Sequence, residues 1–302
     1  MSKIPLLVIV GPTASGKSAF AVEIARAIGG EIISADSRQV YRKLDIGTGK
    51  ITKREMKYIP HHLLDVASPS RTFTAFQFRE QAIRAIKAIH TRGNVPIICG
   101  GTGFYIDALL RPDSISFVPR NLALRKSLQS LSAEKLFTML KKLDPKRARA
   151  MNTPSERNNP VRLTRAIEIA KSKSLTLGTP LPHIRELWIG LDWPSDMLKE
   201  RINARLAARF KMGMVREAQR LRKSGLSLKR MRSLGLEYGH LADFLEKKTT
   251  RAELEETLRH KIWQYAKRQR TYWQKNSAIT WIVPSKKTLA QSIQKAKLFL
   301  NV

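Results

Sequence analysis

A short apolar run, Leu6-Leu7-Val8-Ile9-Val10, leads directly into Gly11-Pro12-Thr13-Ala14-Ser15-Gly16-Lys17-Ser18, and no other stretch restricts the fold as strongly. The eight positions fit a phosphate-binding loop, and the run before them reads as a buried strand of a parallel sheet. Backbone N–H groups of such a loop, with those of the next helix's first turn, face an anion, and the helix dipole favours negative charge there. Lys17 adds a positive charge, and the Ser18 hydroxyl can hold Mg2+. All eight residues, Gly11 to Ser18, are therefore expected to bind phosphate groups, with Ser18 as the candidate metal ligand.

The chain continues in the β-α-β rhythm of a parallel sheet. Phe20, Ala21, Ile24, Ala25 and Ile28 share one helix face, and Gly29-Gly30 stops that helix. Glu31 to Ala35 reads as a second strand, followed by a polar loop carrying Asp36. Phe76 to His90 reads as an amphipathic helix, and Pro96 to Cys99 as a third strand closed by Gly100-Gly101. This order implies parallel strands joined by right-handed crossovers. From about Pro119 to Pro182 the pattern changes to Lys- and Arg-rich helical stretches, broken at Asp144-Pro145 and at Asn158-Asn159-Pro160. Asn159 is placed to cap a helix with Pro160 in its first position. Leu187 to Leu191 looks like a returning strand. Beyond Pro194 the chain reads helical over Ser195 to Lys211, Val215 to Lys223 and Arg251 to Lys275. The expected fold class is α/β: a P-loop-type parallel sheet flanked by helices, from residues 1–118 and 185–302, with a helical domain inserted at 119–184.

Among 302 residues, 56 are Lys or Arg and 24 are Asp or Glu, a formal net charge of +32. Such a field attracts a polyanion, and nucleic acid is the usual one. No lipidation signal or long apolar run accompanies the charge, so a membrane partner is not expected. Cys99 is the only cysteine, which excludes an intrachain disulfide and fits a reducing compartment. Met1-Ser2-Lys3-Ile4-Pro5 lacks the apolar stretch and cleavage site of a signal peptide, and a cytoplasmic location is expected.

The loop by itself does not choose between a nucleotide and another diphosphate. An NTPase would normally add a second apolar strand ending in an Asp for Mg2+. Trp188-Ile189-Gly190-Leu191-Asp192 comes closest, but a glycine interrupts it. Asp36 is better placed, because ligands of such sheets gather beyond the carboxyl ends of the strands. His61 and His62 are adjacent, which is not metal-ligand spacing, and are expected to be structural or part of the loop. Cys99 is expected to be a small buried apolar residue.

Further motifs carry a resemblance. Ile32-Ile33-Ser34-Ala35-Asp36-Ser37-Arg38-Gln39-Val40-Tyr41 continues into Leu44-Asp45-Ile46-Gly47-Thr48. His61-His62-Leu63-Leu64-Asp65 and Gly100-Gly101-Thr102-Gly103-Phe104-Tyr105 follow. With the phosphate loop, these resemble the tRNA dimethylallyltransferase family, also called isopentenyl transferases. The match is close over the first ~110 residues and looser but continuous to the end. The resemblance implies a P-loop-type sheet domain with an inserted helical domain and a channel through the former. Dimethylallyl diphosphate would enter from one side and the adenosine beside the anticodon, position 37 of tRNA, from the other. The products would be N6-isopentenyladenosine and diphosphate. The implied cofactor is Mg2+, the implied partner the tRNA anticodon stem-loop, and the implied state a monomer.

Carried over by position, Asp36 would be the general base on the adenine amine, a role that suits a carboxylate. Thr102 would face it across the channel, orienting the amine or a phosphate oxygen. Lys17 and Arg205 would act on the diphosphate, and arginine's planar fork suits oxyanions. Arg201 and Arg205, four apart, share a helix face. Contacts to tRNA are expected from Asp36, Ser37, Arg38, Gln39 and Thr102. In the insertion they are expected from Val161, Arg162, Leu163, Thr164 and Arg165. Lys267-Arg268-Gln269-Arg270-Thr271-Tyr272-Trp273 matches a family motif whose aromatics suit either RNA stacking or a core. Gly235-Leu236-Glu237-Tyr238 departs from the family's Gly-Tyr-basic pattern, so no contact is carried over to it. Three rivals stand beside this reading. The heavy basic charge argues against an adenylate isopentenyltransferase acting on free nucleotide, and the lack of a clean second strand argues against a P-loop kinase or NTPase. A non-enzymatic RNA-binding protein would leave Asp36 and Gly-Gly-Thr without a role.

Overall fold

Six parallel strands form the sheet of the first of two units, which comprises Met1–Leu110 and Leu181–Val302; the second unit is Arg111–Pro180. The computed structural model describes residues 3–111, 118–172 and 178–301. The strands are β1 (Ile4–Val10), β2 (Gly30–Ser34), β3 (His61–His62), β4 (Val95–Cys99), β5 (Ile184–Leu191) and β6 (Thr280–Ile282). Their spatial order is β3-β2-β4-β1-β5-β6. Around them lie α1 (Lys17–Ile28), α2 (Lys53–Met56), α3 (Ala75–Thr91) and α4 (Gly103–Leu110). The second unit contributes α5 (Leu122–Leu128), α6 (Ala133–Leu143), α7 (Pro145–Ala150), α8 (Pro154–Arg157) and α9 (Pro160–Lys171). The first unit then resumes with α10 (Ser195–Lys211), α11 (Met214–Lys223), α12 (Leu228–Ser233), α13 (Leu236–Leu245), α14 (Arg251–Trp273) and α15 (Lys286–Leu300).

β1 is flanked by β4 and β5 and is buried on both faces, which is why its sequence is continuously apolar rather than alternating. Leu6, Val8 and Val10 join Ile33 and Ile98 on one face, where α3, α10 and α14 pack. Leu7 and Ile9 join Ile32, Ile97 and Cys99 on the other, against α1 and α15. The helix ends follow their local chemistry. Gly29 closes α1 in the left-handed conformation at φ 64°. Capping boxes open α3 at Thr74 and α14 at Thr250. Asn159 caps α9 by accepting from the amides of Val161 and Arg162, with Pro160 at the first position.

Two strands lie outside the sequence expectation. β3 is two residues long and pairs with β2, so it has no periodicity of its own. β6 interrupts the segment read as helical after Pro194; it adds to the β5 edge in the register Ile189 to Thr280. β5 itself starts earlier than expected, because Arg185 and Glu186 at its exposed start mask the apolar signal. The helical unit has its own core, centred on Leu128, Leu136, Leu140, Leu163 and Ile167. Among the described residues no helix is long and apolar enough to cross a membrane.

Candidate active site

The phosphate loop joins β1 to α1 and is braced from outside. Gly16 lies at φ 92° and Ala14 at φ 63°, left-handed values that fold the chain back on itself. Three loop carbonyls are engaged by side chains. Lys17 Nζ donates to Pro12 O at 2.6 Å, Arg201 Nε to Ala14 O at 2.9 Å, and Trp193 Nε1 to Ser15 O at 3.0 Å. The Arg201 guanidinium also covers the Trp193 ring at 4.7 Å. Burial pulls the Lys17 ammonium down to about 8, with the nearby Arg205 adding to the effect and Asp36 opposing it. A cation held in this way gains most from an anion arriving beside it.

Asp36 follows β2, and Thr102 follows β4. They come together because β2 and β4 are neighbours, paired Ser34 to Cys99. Gly100 permits the close approach, since a Cβ there would strike the Ala35 backbone. Asp36 Oδ1 accepts from the amides of Arg38 (2.8 Å) and Gln39 (3.2 Å). Those bonds make the loop-capping turn common for Asp after a strand. Among the described residues no group hydrogen-bonds Oδ2. Thr102 Oγ1 accepts from Ser37 N at 3.0 Å and donates to Ser37 Oγ at 3.4 Å. Burial pushes the ionisation of the Tyr265 phenol, which lines the same cavity, well above the ordinary range.

Two cavities meet at Asp36. The smaller is lined by Lys17, Ser18, Gln39 and Arg205; the larger by Ser37, Arg38, Thr102, Phe104, Arg268 and Tyr272. Thr13, Asp36, Thr48, Gly101, Tyr265 and Gln269 line both. The 36–39 loop is thus divided, with Gln39 towards the phosphate loop and Ser37 and Arg38 away from it. Arg205 reaches the first cavity from α10, tied to Gly49 O at 2.7 Å. Thr102 lines only the second.

Three residues escaped the sequence reading as site components. Gln269 accepts from Thr13 N at 2.7 Å and donates to Gly101 O at 2.9 Å, so one amide joins the phosphate loop to the Gly-Gly-Thr turn. Tyr265 lies one helical turn before it. Thr48 belongs to a quoted motif but carried no role. The Lys267 to Trp273 motif divides by helix face: Gln269 and Trp273 are buried, while Lys267, Arg268 and Tyr272 are exposed.

Other expected residues fall elsewhere. Val161 to Arg165 lie on α9 in the helical unit. Val161 (74 % exposed) and Arg162 face solvent, but Leu163 is fully buried in that unit's core, so its assignment as a tRNA contact is corrected. The signal was present: Leu163, Ala166 and Ile167 have the spacing of one apolar face. Thr164 is half-buried. Arg165 is committed to structure, donating to Val118 O at 2.7 Å and to the buried Glu168 at 3.2 Å. Burial pushes the Glu168 carboxyl up, but bonds from Arg125, the Asn121 amide and Arg165 outweigh it and hold it at about 2. Asp192, the nearest approach to a second Mg2+ strand, is paired with Arg270 at 2.8 Å. His62 bonds the buried Glu31 at 2.6 Å, a structural role, while His61 lines the smaller cavity. Cys99 is buried, and burial pushes its thiol up to about 11.

A family model described as IPP transferase matches residues 39–276. The chain is 43 % identical to the tRNA dimethylallyltransferase 2 of Treponema denticola, covering 92 % of this chain and 95 % of that one. It is 41 % identical to the tRNA dimethylallyltransferase 1 of Geotalea uraniireducens, covering 92 % of each. The solved full-length tRNA isopentenylpyrophosphate transferase of Bacillus halodurans superposes with a TM-score of 0.73 at 34 % identity, over 99 % of this chain and 97 % of that one. A eukaryotic dimethylallyltransferase, solved in snapshots of its action on tRNA, shares the fold: TM-score 0.78 at 23 % identity, over 98 % of this chain and 78 % of that one.

Proposed function

The chain belongs to the IPP transferase family, and on that premise we propose that it transfers a dimethylallyl group from dimethylallyl diphosphate to the N6 amine of adenosine 37 in tRNA. The observation that carries this reading is the position of Asp36, on the shared wall of a cavity at the phosphate loop and a wider one on its far side. A diphosphate ester and a nucleobase can then meet at one carboxylate.

In the proposed reaction, the adenine N6 attacks the first carbon of the prenyl chain. The N–C bond forms as the C–O bond to diphosphate breaks, and diphosphate leaves with the electron pair. Asp36 Oδ2 takes the amine proton, Oδ1 being held by the amides of Arg38 and Gln39. Thr102 faces the acceptor side, which favours orientation of the amine over contact with a phosphate. Loop amides, Lys17 and Arg205 neutralise charge as it accumulates on the leaving group. Among the described residues no group of three or more His, Cys, Asp or Glu could hold a metal. The Ser18 hydroxyl therefore fits an ion that draws most of its ligands from substrate phosphate and water, as Mg2+ does. Bound there, Mg2+ would add charge neutralisation at the diphosphate.

The net charge of +32 supports a polyanionic acceptor over a free nucleotide. On the same reading the protein works in the cytoplasm as a monomer on the anticodon stem-loop. Of Val161 to Arg165, Arg162 is the exposed cation that could meet a phosphate, in exchange for its pairing with Glu156 at 3.3 Å. Incubation with dimethylallyl diphosphate, Mg2+ and unmodified tRNA, followed by mass spectrometry, should show one isopentenyl group added at adenosine 37. Modification of AMP but not tRNA would reject the assignment of acceptor.

A further inference from the structure

The Leu44 to Thr48 motif has no role in the reading above, and its geometry is specific. The amides of Asp45, Ile46 and Gly47 converge on one carboxylate. Glu217 Oε2 accepts from Asp45 N at 3.0 Å and Ile46 N at 2.8 Å, and Oε1 accepts from Gly47 N at 2.8 Å. The Tyr238 hydroxyl donates a fourth bond to Oε1 at 2.6 Å. Both side chains are buried, Glu217 at 4 % and Tyr238 at 1 % exposure. Successive backbone amides of this kind form an anion-binding concavity. Here α11 fills it from within the protein. Charge-assisted bonds away from water hold such a loop firmly.

The carbonyls of the same loop face arginines. Gly47 O accepts from Arg209 at 2.7 Å, and Gly49 O from Arg205 Nη2 at 2.7 Å. Arg209 also pairs with Glu237 at 2.9 Å, which gives the atypical acid at that position a partner. Thr48, between the two glycines, lines both cavities. The glycines are required by space. A Cβ at Gly47 would stand 2.6 Å from the Tyr238 hydroxyl. One at Gly49, where φ is +59°, would collide with the Arg205 guanidinium.

We propose that Glu217 is a positioning residue for prenyl transfer: its carboxylate locks the 45–49 loop, and through the Gly49 carbonyl that loop sets the Arg205 guanidinium at the diphosphate cavity. The proposal rests on the reading of Arg205 as a diphosphate ligand. In Glu217→Gln one oxygen still accepts but the other becomes an NH2 donor facing an inward amide, so the bonds that hold the loop are broken in part, the loop relaxes and the Arg205 anchor shifts.

The test measures donor KM, turnover at saturation and tRNA affinity for Glu217→Gln, Gly49→Ala, Arg205→Ala and the double variant Glu217→Gln/Arg205→Ala. Cooperative thermal unfolding checks that each is folded. Arg205→Ala and Glu217→Gln should each raise donor KM on the order of tenfold, the scale of one charged hydrogen bond, with tRNA affinity little changed. Gly49→Ala, which leaves the carboxylate intact, should do the same. In the Arg205→Ala background, Glu217→Gln should add less than about twofold, because the two act through one contact. Two results overturn the proposal while leaving Arg205 as a ligand: donor KM effects that multiply in the double variant, or a Glu217→Gln protein that loses stability with donor KM unchanged. An unchanged donor KM in Arg205→Ala removes the Arg205 reading itself, and the proposal with it. Should Glu217→Gln fail to fold, Gly49→Ala and Tyr238→Phe decide, and wild-type donor KM in both rejects the proposal.

Discussion

The two cavities that meet at Asp36 are built from different materials. On the phosphate-loop side the cations are tied to backbone carbonyls: Lys17 to Pro12 and Arg205 to Gly49, with Arg201 behind the loop on Ala14. On the far side the groups are aromatic and more exposed. Phe104 is 54 % exposed and Tyr272 39 %, with Arg268 exposed beside them. The first arrangement fixes charge before a ligand arrives, as stabilisation of a leaving group requires. The second offers aromatic faces and an exposed cation, which suit an unstacked nucleotide. Asp36, on the shared wall, has one oxygen fixed by the loop and, among the described residues, no hydrogen bond to the other.

Removing Lys17 should separate the sides most sharply. Lys17→Ala is expected to slow single-turnover transfer by roughly 10²–10³-fold, the cost of losing one preorganised charge. Its affinity for tRNA should stay within about twofold of wild type. An equal fall in both would mean that the cavities are not independent.

Next in size is the shared wall. Asp36→Asn keeps shape and loses basicity, and the chemical step should slow by roughly a hundred-fold with donor KM unchanged. Single-turnover rates with tRNA in excess read this directly. A rate within a few-fold of wild type would reduce Asp36 to positioning.

Phe104→Ala addresses the far side alone. It should weaken tRNA binding by roughly tenfold, the scale of one base–aromatic stack, with no change in donor KM. A donor KM that moved instead would erase the division drawn here.

The smallest effect is on pH dependence. Lys17, at about 8 in the free protein, is already charged below that pH, so donor binding should not vary there on its account. Above pH 8 the amine must take up a proton as diphosphate binds. Donor KM should then climb, by at most about tenfold per pH unit, and Lys17→Ala should abolish that climb. A rise that persists in the variant belongs to another group.

What was legible in the chain and what was not follow from the range of each interaction. The phosphate loop, the strand before it and the helix after it are contiguous, so residues 6–28 determine that unit almost unaided. Asp36 and Thr102 were legible as ends of strands, and β2–β4 pairing then brought them together. Gln269 was not legible as a site residue, because its two partners lie 256 and 168 positions away. Glu217 reads on its own as one more charge on a strongly basic helix, and only the loop amides reveal its use. β3 and β6 are too short to carry a period and exist because a neighbouring edge offers hydrogen bonds. Sequence alone therefore determined the chemistry on offer: a phosphate loop, a carboxylate after a strand, an arginine on a helix and a large positive charge. Tertiary structure decided which of those groups share a cavity and which residues, like Leu163, serve the core, since burial and hydrogen-bond geometry depend on residues far apart along the chain.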